Sequence, residues 1–528
     1  MVTKAGSEYQ AGAAGVVRRS IDDLDRPATP LFVALTIVLA WLCWFPISQA
    51  AYANFMQVCN HDGGAALRAD EIIAMGQRPG VDFFYYYGPL PLLLSRAFFA
   101  IFGRSPFALF ALVGLIGAGF AAGLARIVES FKPTRLGVLL VAVASVHTIT
   151  VPVPTHALEA AILIWAVAMR IRGHRSAALA LVSCGIFAKI SMGTVLLAGL
   201  IALTAFDAIR ERSTRPLRSL LAIPCTVLVL LIACSIALGY ASVVACFDPR
   251  LGEALYSVGD MGFLREGKNF WHPAGHTLGW YLGGMPGPWL VASTLLLVLT
   301  PMAVVRLVRG TLQGTPRDAK AKCDETYAIA CIANLAFVTA FFGPSMNVCY
   351  YSWLPLVGVT PLLARARYGS ARSSPRYSWL ALSAFLLLST KAAVAQGVSV
   401  LRQPRVWVGK VSMPADERAE LKESLSLAHA TGRGVVAVVA RAANFGLVDP
   451  TLRQGRYWMM QVGMRATPSI AELLNLAHSS DAIFVSQFDY PGLLRIPDFQ
   501  PLLTRSERIH EGKYFLVLRP PTAAPPPR

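Results

Sequence analysis

Charge is scarce in this chain. Only 15% of its 528 residues are Asp, Glu, Lys or Arg, against about a quarter in a typical soluble protein. Acids are the scarcer sign, with 30 against 48 basic residues. The nine cysteines are scattered, mostly in or beside apolar segments, and show neither a Cys-x-x-Cys pair nor a Cys/His ligand spacing. No metal cluster is expected from them. No internal repeat is present, and no small-residue cleavage site follows the first apolar run, so a retained first helix is expected. Together these scarcities exclude an ordinary soluble protein.

What the chain has in quantity is apolar sequence. It is 55% hydrophobic, with a mean hydropathy of +0.51, and its apolar stretches recur at the roughly 17–25 residues that cross a bilayer. The fold class is therefore mainly α, a polytopic transmembrane helical bundle. The net charge of +18 points to nucleic acid only if the basic residues form one patch. They fall instead in short clusters between apolar segments, as expected of loops retained on the inner side of a membrane.

Residues 1–29 read as a polar cytoplasmic tail and residues 30–53 as the first span. The next apolar stretch, residues 89–103, is short and carries Arg96. As a span it would put every later basic cluster on the outer side; as a helix lying in the interface it leaves them all inside. The second reading gives about eleven spans. They run near 30–53, 105–125, 136–153, 155–171, 175–190, 192–209, 218–242, 286–308, 325–343, 346–364 and 378–397. An odd number of spans puts residues 400–520 on the same outer side as the first loop. Those residues alternate an amphipathic helix (416–429), a strand (434–441), a helix (469–478) and strands (482–488 and 514–519), which reads as a small α/β domain. Residues 521–528 form a Pro-rich tail. The domain holds no nucleotide loop and is expected to be a scaffold or an acceptor-docking module. Cys59 and Cys246 both fall outside, which leaves a disulfide open, although nothing local brings them close.

The stretch from Asn60 to Pro91 is unusually polar for so apolar a chain. It carries Asp62 before a short helix, Asp70 and Glu71 on that helix, and Asp82 after a Pro-Gly turn. Asp62 and Asp82 flank the helix and can be folded toward each other, so this loop is the candidate active site. Asp70 and Glu71 read as a solvated face. A longer outer loop, near 245–286, is rich in Gly, Pro and aromatics and suits a mobile lid. Its His272 and His276 lack a third ligand in view, so no metal site is assigned. Its Arg265 and Lys268 could meet lipid phosphate. Lys189 stands at an outer helix junction, where a charge at membrane depth is costly and tends to be functional. For His156 and Glu159, interface anchoring is favoured over lining the site.

The first loop is also where a resemblance lies. Asp62 and Gly64, then Gly76, Pro79, Asp82 and Phe83, then Gly88-Pro89-Leu90-Pro91-Leu92 resemble the first outer loop of the GT-C superfamily of integral membrane glycosyltransferases. The pattern is similar to the protein O-mannosyltransferase, aminoarabinose transferase and bacterial galacturonosyltransferase branches. It departs from them in having Gly88-Pro89-Leu90 where those enzymes have Pro-Pro-Leu, and Gly63 where a second acid often follows the first. The resemblance implies a polyprenyl-phosphate sugar as donor and a lipid- or glycan-linked acceptor, such as a lipid-linked glycan or lipopolysaccharide core, on the outer face of a bacterial inner membrane. Membrane lipids are the implied surroundings, and no nucleic acid takes part. It leaves a divalent ion open, since some branches need one and others do not, and implies no other cofactor. On this reading Asp62 is the general base and Asp82 a second carboxylate that positions the acceptor or assists the base. Lys189 contacts the donor phosphate, in a turn like the family's Gly-hydrophobic-Lys-Gly. His272 and Tyr351 are further candidates for substrate contact, Tyr351 lying in a Tyr-rich segment with Tyr350 and Pro355 that otherwise reads as an aromatic belt. A polymerase or ligase of lipid-linked glycans, with its key residues in the long late loop, is the alternative. A transporter is disfavoured, because no related halves are seen.

Overall fold

The computed structural model describes residues 23–52, 62–145 (except 84 and 86), 154–247, most of 300–313, 353–365, most of 404–438, 474–487, 490–494 and 499–521, with a few isolated positions elsewhere. Helix dominates. Among the described residues, four helices are long and apolar enough to cross a membrane: Pro106–Glu129, Pro154–Ile171, Gly193–Arg210 and Arg215–Leu238. Shorter apolar helices occur at Pro30–Pro46, Pro89–Phe102, Arg135–Ser145 and Arg175–Ala188. The predicted spans at 325–343 and 378–397 lie outside the described residues, apart from Ala328, as does most of that at 286–308. So do the lid loop beyond Phe247 and its His272, His276, Arg265 and Lys268, and also Tyr350, Tyr351 and Cys59.

In chain order the helices are α1 (Pro30–Tyr52), α2 (Asp62–Ala74), α3 (Pro89–Phe102), α4 (Pro106–Glu129), α5 (Arg135–Ser145), α6 (Pro154–Ile171), α7 (Arg175–Ala188), α8 (Ile190–Arg210), α9 (Ala222–Leu238), α10 (Tyr240–Cys246) and α11 (Trp353–Ala364). The central one is α4. Ser105 caps it, its hydroxyl accepting from the Ala108 amide at 3.1 Å, and Pro106 occupies the first turn where no N–H is needed. Its glycines then let neighbours approach. A Cβ on Gly117 would lie 2.1 Å from Trp41 of α1, and one on Gly123 would lie 2.9 Å from Ile164 of α6. Trp165 donates to the Gly119 carbonyl at 2.8 Å. Without a hydrophobic drive between helices in lipid, such close backbone approach supplies the packing energy.

The helix ends sort into two groups. At one end Arg172 pairs with Glu129 at 2.6 Å, and Arg170 and Arg175 meet Asp207 at 2.8 and 2.6 Å. There too Arg135 pairs with Asp23, the Thr134 amide donates to Ala364, and Arg365 lies over Phe131. This arginine end gathers the basic clusters around 126–135, 170–175 and 210–218 together with Arg365. The opposite end, the loop end, carries α2, α3, the start of α6, the α7–α8 junction and α10.

Both flanks of α3 sit at the loop end. Gly88, before it, bonds to Ala188, while Arg104, after it, reaches Asp70 and Glu71 of α2. At 14 residues it is about 21 Å long. It buries Pro89, Pro91, Leu92, Ser95 and Phe99 and exposes Ile101 and Phe102. Both of its ends therefore lie at the loop end, while α1 packs along α4.

The C-terminal part has its own buried cluster around Phe484 and Phe515. A hairpin of β1 (Arg405–Val408) and β2 (Val411–Pro414) precedes α12 (Ala415–Ala430). A four-stranded sheet follows, of β3 (Val435–Val438), β4 (Ala482–Ser486), β5 (Glu507–Glu511) and β6 (Phe515–Arg519), in the order β3-β4-β6-β5. β3 and β4 are parallel, and the other pairs antiparallel. α12 is tied to the sheet by Glu420, whose carboxylate accepts from the amides of Lys513, Tyr514 and Phe515 at 3.0, 2.6 and 2.8 Å. The hairpin and β5 are additions to the elements read from sequence.

Candidate functional site

Asp62 is the first residue of α2; its side chain lies outside the described ones. Two turns on, α2 reaches the pair predicted to be solvated, and the structure corrects that reading. Asp70 meets Arg96 at 3.4 Å and Arg104 at 3.7 Å; Glu71 meets Arg68 at 2.6 Å and Arg104 at 3.7 Å. Arg96 projects from α3, and Arg104 follows Gly103, whose positive φ of 76° ends that helix. Both carboxylates are largely covered, and burial raises the Asp70 carboxyl above the ordinary value of 3.8 while Arg96 and Arg104 oppose the rise. The network fastens α2 to α3.

Asp82 lies in a tight turn after α2. Its Oδ2 accepts from the Arg78 amide at 2.8 Å and from Arg78 Nε at 2.9 Å, and its Oδ1 from the Arg78 guanidinium at 3.0 Å. These bonds hold its carboxyl below the usual range. Gly80 takes φ +74°, and its amide donates to the Phe83 carbonyl at 2.8 Å. Asp82 is thus committed to closing this turn, and a carboxylate so stabilised is a weak base.

From the turn the chain runs out with Phe83, Tyr85 and Tyr87 buried. Their rings meet edge to face at 6.5 and 6.1 Å, and Tyr87 meets His156 the same way at 5.8 Å. Tyr85 packs beside Cys246, a free thiol at the end of α10, and a Cβ on Gly80 would touch Ala245 at 2.7 Å. The start of the long loop is therefore seated on the first loop.

The aromatic ladder ends where three elements meet. The Gly88 amide donates to Ala188 at the close of α7 at 3.2 Å. Lys189 follows, a single extended residue (φ −157°, ψ 124°) that separates α7 from α8 and turns the chain back on itself. Gly193 makes the reversal tight, since a Cβ there would lie 2.7 Å from the Ile186 amide. The ammonium of Lys189 is 5.9 Å from the centre of the Tyr87 ring. The first two turns of α6 add His156 and Glu159, 3.9 Å apart and both buried. They do not anchor an exposed interface, as the favoured reading of the sequence had them; they line this junction. An i, i+3 spacing on a helix start was the available signal.

Lys189 is thus gathered with Tyr87, His156 and Glu159, while Asp82 sits at the far end of the ladder, held by Arg78. His272 and Tyr351 lie outside the described residues. A flexible ammonium at a buried polar junction can hold a phosphoryl oxygen. Among the described residues no group of three His, Cys, Asp or Glu is placed to bind a metal.

No family model matches the chain, and no curated protein matches it. Among solved structures it is similar to the crystal structure of ArnT from Cupriavidus metallidurans bound to undecaprenyl phosphate. The likeness has a TM-score of 0.52 at 12% identity and covers 93% of this chain and 98% of that one. At this identity the likeness shows the fold alone, over nearly the whole length of both chains.

Proposed function

We propose that this chain is an integral membrane glycosyltransferase that moves a sugar from a polyprenyl-phosphate donor to a lipid- or glycan-linked acceptor. The observation that carries the reading is the meeting of the Tyr87-Gly88 end of the first loop with Lys189 at the α7–α8 break, beside His156 and Glu159. It stands on a fold whose solved neighbour was bound to undecaprenyl phosphate.

In this reading the acceptor hydroxyl attacks the anomeric carbon. The bond from that carbon to the phosphate oxygen breaks, and the lipid phosphate leaves with its electron pair. Lys189 stabilises the phosphate anion. Asp62 takes the hydroxyl proton, a role that contributes about 10²–10⁴-fold. Asp82, held as a carboxylate by Arg78, shapes the loop that carries the acceptor. The arginine end faces the cytoplasm and the loop end the outside of a bacterial inner membrane, because that arrangement keeps the basic clusters inside. Residues 400–520 form an outer domain that serves as a scaffold or docks the acceptor.

The test is transfer by purified protein from polyprenyl-phosphate sugars, guided by mass spectrometry of lipid-linked and surface glycans in a deletion strain. Asp62→Asn should lower turnover about 10²-fold or more with donor binding intact. Unchanged glycans in the deletion strain, together with no transfer in vitro, would reject the reading.

A further inference from the structure

The ammonium of Lys189 is a point charge on a long flexible stem, and holding it in one place costs rotamer freedom that a fixed neighbour can offset. Its backbone is fixed by the helix break. Its head group has a neighbour from a different part of the chain, the face of Tyr87, at 5.9 Å. That distance is within reach of a cation–π attraction, which strengthens where water is excluded. Tyr87 is itself buried and set from two directions. His156 meets it edge to face at 5.8 Å, and Tyr85 does so at 6.1 Å. The next residue, Gly88, is bonded to Ala188, immediately before Lys189. Ring and ammonium are therefore registered by one short stretch of backbone on each side.

We propose that Tyr87 is a positioning residue for Lys189, holding its ammonium through the ring face at the point where a donor phosphate binds. The inference deepens, and rests on, the donor reading given above. It assigns to the first loop a part in donor binding that is separate from the carboxylates. It also follows that the ring, and not the phenol hydroxyl, carries the effect.

The test is binding of undecaprenyl phosphate to the full-length protein in nanodiscs. Tyr87→Leu should weaken binding about fivefold in the wild-type background and not further in Lys189→Met. Tyr87→Phe should bind within about twofold of wild type, since the ring face remains. Fluorinated phenylalanines placed at position 87 should weaken binding step by step with fluorine content, because they drain the ring face while keeping its shape. This series stands in should Tyr87→Leu fail to fold. Equal weakening by Tyr87→Leu in both backgrounds, or a flat fluorine series, would overturn the positioning role alone. Absence of undecaprenyl phosphate binding by the wild type, or full binding by Lys189→Met, would overturn the donor reading and this inference with it.

Discussion

The Gly88 amide donates to the Ala188 carbonyl at 3.2 Å, so the first loop is fastened to the residue just before Lys189. The approach leaves no room for a side chain. A Cβ on Gly88 would stand 2.0 Å from the Phe187 carbonyl oxygen, and that oxygen is backbone and cannot rotate aside. Gly88→Ala should push Tyr87 away from Lys189, at a cost of about 1–3 kcal/mol. Transfer should fall at least about tenfold and the melting temperature should drop. Melting and transfer measured on one preparation check this. Wild-type values for both would mean that the loop is not seated on α7.

Asp70 gives the protein a pH dependence of definite sign. Burial raises its carboxyl above the ordinary 3.8 despite Arg96 and Arg104. A raised group contributes stability that is complete below the unfolded value and lost as pH climbs through the folded one. The difference in melting temperature between wild type and Asp70→Asn should therefore shift against the wild type as pH rises through the interval just above 3.8. Melting curves in detergent across acidic buffers would show it, and parallel curves would remove the effect.

At the arginine end, Asp207 accepts from Arg170 and Arg175, and the side chain of Arg170 is only 1% exposed. Removing one partner leaves a buried charge behind. Asp207→Leu should destabilise by about 3–5 kcal/mol. Arg170→Met combined with Asp207→Leu should recover most of that, since Arg175 retains Glu211. Thermal melting of the single and double variants decides it. A double variant as unstable as the single would show that the pair does more than satisfy itself.

The sequence by itself determined that the chain is built of long apolar helices suited to a membrane. Ser105-Pro106 followed by an apolar run leaves little choice but a helix there, and the spacing of basic clusters set residues 89–103 apart from the long helices before any contact was known. Both signals are local, since cap chemistry and hydropathy act within a few residues. The break at Lys189 was legible as a charge interrupting apolar sequence. Its partners were not. Nothing in the sequence near Tyr87 names Lys189, which lies 102 positions away, and the burial of Phe83, Tyr85 and Tyr87 appears only once α10 and α6 pack against them. Asp70 and Glu71 look like a solvated helix face until Arg96 and Arg104 arrive from α3. His156 and Glu159 look like surface anchors until the first loop closes over them. Only the tertiary structure decided these roles, because the state of a charged or aromatic side chain is set by what displaces water around it, and that comes from distant segments of the chain.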